Sequence, residues 1–402
     1  MTSPLDGRPV DFPPSSALGD GRKPKNNAAT GASAAGSRAI IAQMVQFYFR
    51  APVKAFFRTR VDYMGYARAI NPRVKENAPW SLKTSTPGLL AYAVKNHGWS
   101  FIPRQVLPPL LANVSVGAVL YTSYLQTLAA LYEPAARSQK RVHPPPPLVY
   151  TFTAGFSAGS IQSLVAAPLD ALQVRFKTSE MLEGRWKSMW HYAYDKLRTI
   201  GPQGVFAGYT LTFLKDSLGY GAFFAAFEYT KSQAYYGFLT RVYGNQSVSA
   251  VLSWKNSAPA TADGKPPVIR PHYALEPAFL LLAGVSASVA QQLIQHPLTQ
   301  IQNVHYNRLE SLDYAAKLQR SRPSIFRLYY HAYEKTYEQC KRQARRIGGW
   351  RRWLYKDFLW NTIRQTPSTS AGLIVFELVR RRYGIGNNEV RIQQDGYDIL
   401  LS

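Results

Sequence analysis

The chain has 402 residues, with 48 lysines and arginines against 23 aspartates and glutamates, a formal charge of +25. Its one cysteine, Cys340, excludes a disulfide framework and a cysteine-based metal site. There is no P-loop, H-E-x-x-H, G-x-S-x-G or C-x-x-C, so no enzyme is expected, and no cofactor or metal. This length suits two soluble domains or one six-helix membrane unit. The basic residues cluster between apolar segments, which reads as loops on one membrane side and a cationic cavity rather than a nucleic-acid surface.

In chain order, residues 1–37 are rich in Pro, Gly, Ser and Ala, lack apolar periodicity and are expected to be disordered. Asp6, Asp11 and Asp20 set this stretch apart from an acid-poor transit peptide. Ser37–Arg58 is the first expected span, with Arg50 and Lys54 inside it. Pro87–Asn96 is a short amphipathic helix. Arg104–Tyr124 is the second span, its prolines near the start, where they cost least. Ala135–Pro147 is an extended, proline-rich connection. Leu148–Ala166 is the third span and leads into A-P-L-D-A-L-Q-V-R-F-K, Ala167–Lys177.

Trp186–Thr199 has helical periodicity, with Trp186, Met189, Trp190, Ala193, Tyr194 and Leu197 on one face as packing or interfacial anchors. Tyr209–Gln233 is the fourth span and carries Lys215 and Asp216. Phe238–His272 is a polar insert, Ala274–His296 the fifth span, and Asn303–Lys356 a long basic stretch with an amphipathic helix around Ile325–Arg345. Phe358–Arg380 is the sixth span, with Arg364 and Gln365, and a polar tail follows.

Part of this pattern repeats. Pro52, Pro168 and Pro297 recur at intervals of about 115 to 130 residues, as in a tandem repeat. Each is expected to kink its helix, since proline removes a backbone donor and crowds the preceding turn. Gly155 and Gly159 precede Pro168 at the spacing with which Gly284 and Ser288 precede Pro297. Phe227-Glu228-x-x-Lys231 returns as Phe376-Glu377-x-x-Arg380.

These features, from about Arg38 to Tyr383, resemble the mitochondrial carrier family. Its three repeats each carry P-x-[DE]-x-x-[KR]-x-[KR] on the first helix and [FY]-[DE]-x-x-[RK] on the second. The resemblance implies an all-α membrane protein: six transmembrane helices in three pseudo-symmetric repeats, with short amphipathic helices along the matrix face. The corresponding units are a disordered segment (1–37), repeat one (38–134), repeat two (135–237), a polar insert (238–273), repeat three (274–383) and a tail (384–402). The resemblance also implies a monomer in the mitochondrial inner membrane, with cardiolipin at helix N-termini, no nucleic acid, and a small-molecule solute moved by alternating access.

Carried over residue by residue, the solute contact positions are Ala112, Lys215 with Asp216, and Arg364 with Gln365. Two cations and a carboxylate suit a carboxylate or zwitterionic solute. On the matrix side the acid positions are Lys54, Asp170 and Thr299, and the base positions Phe57, Gln173 and Gln302. The implied neighbours are Lys54–Gln173, Asp170–Gln302 and Thr299–Phe57, so no complete ion pair is expected there. At the opposite gate Leu125 and Leu128 replace one charged pair, leaving Glu228–Arg380 as the expected bridge and depriving Lys231 and Glu377 of their second-helix partners. Gates so altered also fit a transport-inactive scaffold or adaptor, in which case the outer membrane becomes an alternative location.

Overall fold

The computed structural model describes residues 65–71, 86–137, 142–175, 188–242, 268–269, 271–272, 274–318, 322–383, 390–394 and 397–401. The expected first span, with Pro52, Lys54 and Phe57, lies outside them, as do residues 1–37. The helices are α1 (Gly65–Ala69), α2 (Thr86–His97), α3 (Leu107–Leu131), α4 (Glu133–Arg137), α5 (Leu148–Arg175), α6 (Met189–Val205), α7 (Tyr209–Glu228), α8 (Leu275–Leu318), α9 (Arg322–Ile347), α10 (Trp350–Leu354) and α11 (Phe358–Tyr383). A π-helical turn, Ile102–Val106, leads into α3, and another, Tyr229–Ala234, prolongs α7.

Five long helices pack as a row in chain order: α3 on α5, α5 on α7, α7 on α8, α8 on α11. Two of them, Ile102–Leu131 and the Leu275–Leu309 part of α8, are long and apolar enough to cross a membrane by length and composition. The row turns inside out the usual distribution of a water-soluble protein. Large apolar side chains such as Val149, Leu164, Leu282 and Leu359 are exposed, while Gln162, Asp216, Glu228, Gln302, Glu377 and Arg380 are buried. A helix in lipid satisfies its own backbone and turns its ionisable groups inward, and that is the distribution here.

Glycines set the closest approaches. A Cβ on Gly155 would stand 2.6 Å from the Tyr220 carbonyl oxygen and 3.1 Å from Gly221 Cα, and one on Gly159 would stand 2.6 Å from the Asp216 carbonyl oxygen. The α8–α11 pair repeats this register. A Cβ on Gly284 would stand 2.8 Å from Ser370 Cα, and Thr366 Oγ1 donates to Ser288 Oγ at 3.4 Å. Gly221 and Ser370 each lie six residues before the phenylalanine of the Phe-Glu motif, and Gly159 and Ser288 each nine residues before the proline. The repeat is therefore present in the packing as well as in the sequence. Pro168 and Pro297 both stand inside continuous helices.

The fifth span, Ala274–His296, is the first part of a longer helix: α8 runs through Pro297 for 44 residues, about 66 Å, roughly twice a hydrocarbon core. The amphipathic helix expected around Ile325–Arg345 is present as α9. α9 has 26 residues and buries Ala332, Thr336, Cys340 and Ala344, a stripe at every fourth position, with Cys340 and Ala344 clustering with Val304 of α8. Burial pushes the Cys340 thiol above its usual range.

The polar C-terminal tail departs from the all-α expectation by carrying strands. Val390–Gln394 (β2) and Tyr397–Leu401 (β3) form an antiparallel hairpin, and Val268–Ile269 (β1) joins β3 in parallel, giving the order β1-β3-β2. The two residues between β2 and β3 are Asp395-Gly396, a sequence suited to a tight hairpin turn.

Candidate functional site

At one end of the bundle an aromatic plug underlies a buried charge network. The Tyr124 ring stacks on Phe224 at 3.7 Å, and Tyr121 meets Phe224 at 5.5 Å and Phe376 at 4.7 Å. Tyr121 thereby links α3 to α11, drawing the first and last helices of the row together. Leu125 and Leu128 are buried in the same core.

Beside this plug lie Glu228 and Lys231 of α7 and its π turn, and Glu377 and Arg380 of α11. Arg380 Nη1 donates to Glu228 Oε1 at 3.3 Å and to Glu377 Oε2 at 3.5 Å. Lys231 Nζ donates to Glu228 Oε1 at 3.0 Å and to Glu377 Oε2 at 3.3 Å. Arg381 adds a bond to Glu377 at 3.2 Å and an ion pair to Glu276 of α8 at 2.8 Å. The side chains of Glu377, Arg380 and Glu228 are 1%, 2% and 3% exposed.

The expected Glu228–Arg380 bridge is present. Lys231 and Glu377, whose second-helix partner positions are leucines, bond to each other. Leu125 and Leu128 together remove one acid and one base, so Glu228, Lys231, Glu377 and Arg380 still balance and pair without a charge from α3, and Arg381 with Glu276 ties the network to α8.

The other end is held differently. Gln302 Nε2 donates to Thr212 Oγ1 at 2.7 Å and to Tyr306 Oη at 2.6 Å, and Gln302 Oε1 accepts from Lys215 Nζ at 2.8 Å. Thr212 and Tyr306 are themselves 2.9 Å apart. Gln302, the implied neighbour of Asp170, is linked to α7 through Lys215 and Thr212. Asp170 lines a small cleft with Tyr209, Thr212 and Tyr306. Thr299 is buried; Gln173 lies in α5.

The solute contact positions fall on three helices. Ala112 is half-buried on α3. Lys215 lies 3.7 Å from Asp216 Oδ1. Gln365 accepts from Gln292 of α8, and Arg364 lies over the Trp360 ring, 4.8 Å from its centroid. Sequence reading missed Thr212, Tyr306 and Glu276. The first two carry a signal: Thr212 precedes Lys215 by three residues and Tyr306 follows Gln302 by four, so each shares a helical face with its partner.

Asp357 ends the segment I-G-G-W-R-R-W-L-Y-K-D. Its φ is 58°, in the left-handed region that glycine enters freely and aspartate tolerates.

A helical row that exposes large apolar side chains, with a buried ionic network at one end and a hydrogen-bonded one at the other, has the distribution of a helical membrane protein. Residues 144–237 match the family described as Mitochondrial carrier protein. The chain is 32% identical to solute carrier family 25 member 45 of Mus musculus over 127 residues, 30% of this chain and 43% of that protein. It is 24% identical to a mitochondrial arginine transporter of Arabidopsis thaliana over 155 residues (39% and 49%), and 27% identical to a mitochondrial thiamine pyrophosphate carrier of Aspergillus oryzae over 158 residues (39% and 48%). The chain spans less than half the length of these curated relatives. The similarity to this family is thus carried by the middle of the chain, and these relatives are named as solute carriers and transporters.

Proposed function

We propose that the protein is a transporter that moves a small anionic or zwitterionic metabolite, carboxylate or amino-acid-like, by alternating access through a six-helix, three-repeat bundle. The observation that carries this reading is the cationic Lys215 at a contact position, hydrogen-bonded across to Gln302 at a gate position. A solute carboxylate entering between the helices would meet Lys215, Asp216 and Arg364, with Ala112 leaving room on α3 and Gln365 offering its amide. The residues at the two ends act as gates: Glu228, Lys231, Glu377 and Arg380 with Leu125 at the ionic end, and Lys54, Phe57, Asp170, Gln173, Thr299 and Gln302 at the other. In this reading Pro52, Pro168 and Pro297 bend the odd helices, the protein works as a monomer, and cardiolipin binds at helix N-termini of the matrix face.

The test is solute-dependent thermal stabilisation of the purified protein against carboxylates, amino acids, nucleotides and carnitine esters, because a ligand that binds only the folded state raises its stability by mass action. A carboxylate or amino-acid response that disappears in both Lys215→Ala and Arg364→Ala is expected. Silence across the panel from a folded sample would sink the transporter reading. It would favour a transport-inactive scaffold or adaptor, possible in the outer membrane, for which the closure without a charge from α3 and the long α8 and α9 are the supporting features.

A further inference from the structure

Lys215 and Gln302 belong to different parts of a carrier's machinery: one stands at a solute contact position, the other at a gate position on the next odd helix. Here they are one hydrogen-bonded unit. The Gln302 amide has its oxygen on Lys215 Nζ and its nitrogen on Thr212 and Tyr306. Gln302 is 3% exposed, so its bonds are made away from bulk solvent, where an unpaired amide is costly. Two of its three partners, Lys215 and Thr212, lie on α7 and the third on α8 itself. The unit therefore fastens α7 to α8 at a place where the gate sequence supplies no complete ion pair.

We propose that Lys215 is the latch of this gate as well as a solute contact, and that Gln302 is the positioning residue that holds it; this rests on the carrier reading of Lys215. A carboxylate solute and the Gln302 amide oxygen compete for the same ammonium. A carboxylate makes the stronger, charge-assisted bond. When it draws Lys215 away, α7 loses one of its ties to α8, so solute binding and loosening of this end are the same event. Asp216, 3.7 Å from Lys215 on the other side, keeps the ammonium partly compensated during the exchange.

The competition gives two substitutions opposite effects. Gln302→Leu removes the competitor, so carboxylate affinity stays within about twofold of wild type or rises. Gln302→Glu supplies a carboxylate that neutralises Lys215, so carboxylate affinity falls about tenfold or more. Thermal-shift titration with 2-oxoglutarate, L-glutamate and L-arginine would read both, with Lys215→Arg as a variant that keeps the charge and with unfolding of solute-free protein as the control for folding. Retained or tighter binding in Gln302→Leu with loss in Gln302→Glu supports the latch. Equal losses in both, with wild type responding, overturn it while leaving the transporter reading intact, since a purely structural glutamine gives that pattern. No response in any folded variant, wild type included, overturns the transporter reading and the latch with it.

Discussion

The two ends of the bundle are closed by different chemistry. One end uses two carboxylates and two cations, nearly all out of solvent, on α7 and α11. The other uses an amide, two hydroxyls and one ammonium on α7 and α8. A neutral hydrogen bond contributes about 1 kcal/mol net, whereas one partner removed from a buried ion pair costs about 3–5 kcal/mol. The ionic end is therefore intolerant of single changes and the amide end tolerant of them. A conformational cycle that starts from this arrangement loosens the amide end at lower cost.

The largest expected effect is at the ionic end. Arg380→Met leaves Glu228 and Glu377 short of a guanidinium and is expected to cost about 3–5 kcal/mol. Adding Glu228→Gln should recover part of that loss, and thermal unfolding in detergent reads both. If Arg380→Met unfolds at the wild-type temperature, the charge network does not close this end.

Next comes the helix that gives no charge. Leu125→Glu buries a carboxylate in the aromatic plug beyond the existing charge balance and should cost about 2–4 kcal/mol. Leu125→Glu with Leu128→Arg restores the balance and should recover a good part. No recovery would mean that α3 packs through the plug alone and cannot be rebuilt as a third ionic leaf.

Gly155→Ala places a methyl 2.6 Å from a backbone oxygen and should cost about 1–3 kcal/mol, with Gly284→Ala in the same range. Equality of the two would extend the repeat from geometry to energetics. The amide end is softer: Gln302→Leu should lower the stability of solute-free protein by only about 1–2 kcal/mol. Smallest is Asp357→Gly, expected to be neutral or stabilising by up to about 1 kcal/mol, because it relieves a left-handed aspartate; Asp357→Val should do the reverse.

The sequence carried the middle repeat almost whole. Pro168, the Gly155/Gly159 pair and the Phe-Glu motif are local signals, and each sits where its spacing implies. Side-chain pairing at the gates was less legible. It depends on which helices face each other after two charges are lost, so Lys231 and Glu377 could be paired only once α7 and α11 were seen together. Gln302 was read through its family position, opposite Asp170, and its choice of Lys215 is set by packing between helices. The extension of α8 beyond Pro297 was hidden because a polar stretch with helical propensity has no apolar boundary to mark its end, whereas the amphipathic pattern of α9 was legible. The C-terminal hairpin carried its Asp-Gly turn in plain view, but its pairing with β1 is a contact across more than a hundred residues.

That pairing also constrains topology. Main-chain hydrogen bonds between β1, which precedes α8, and β3, which follows α11, require both strands to be in the same compartment. Between them the polypeptide must return to the side from which it left, so it crosses the bilayer an even number of times. If α8 and α11, both helices of the proposed bundle, are the two crossings, the long basic α9 would lie on the opposite side. Reporter tags placed between residues 243 and 267 and after Ser402 should accordingly be reached by the same membrane-impermeant reagent, and with those two crossings a tag in α9 should be protected from it.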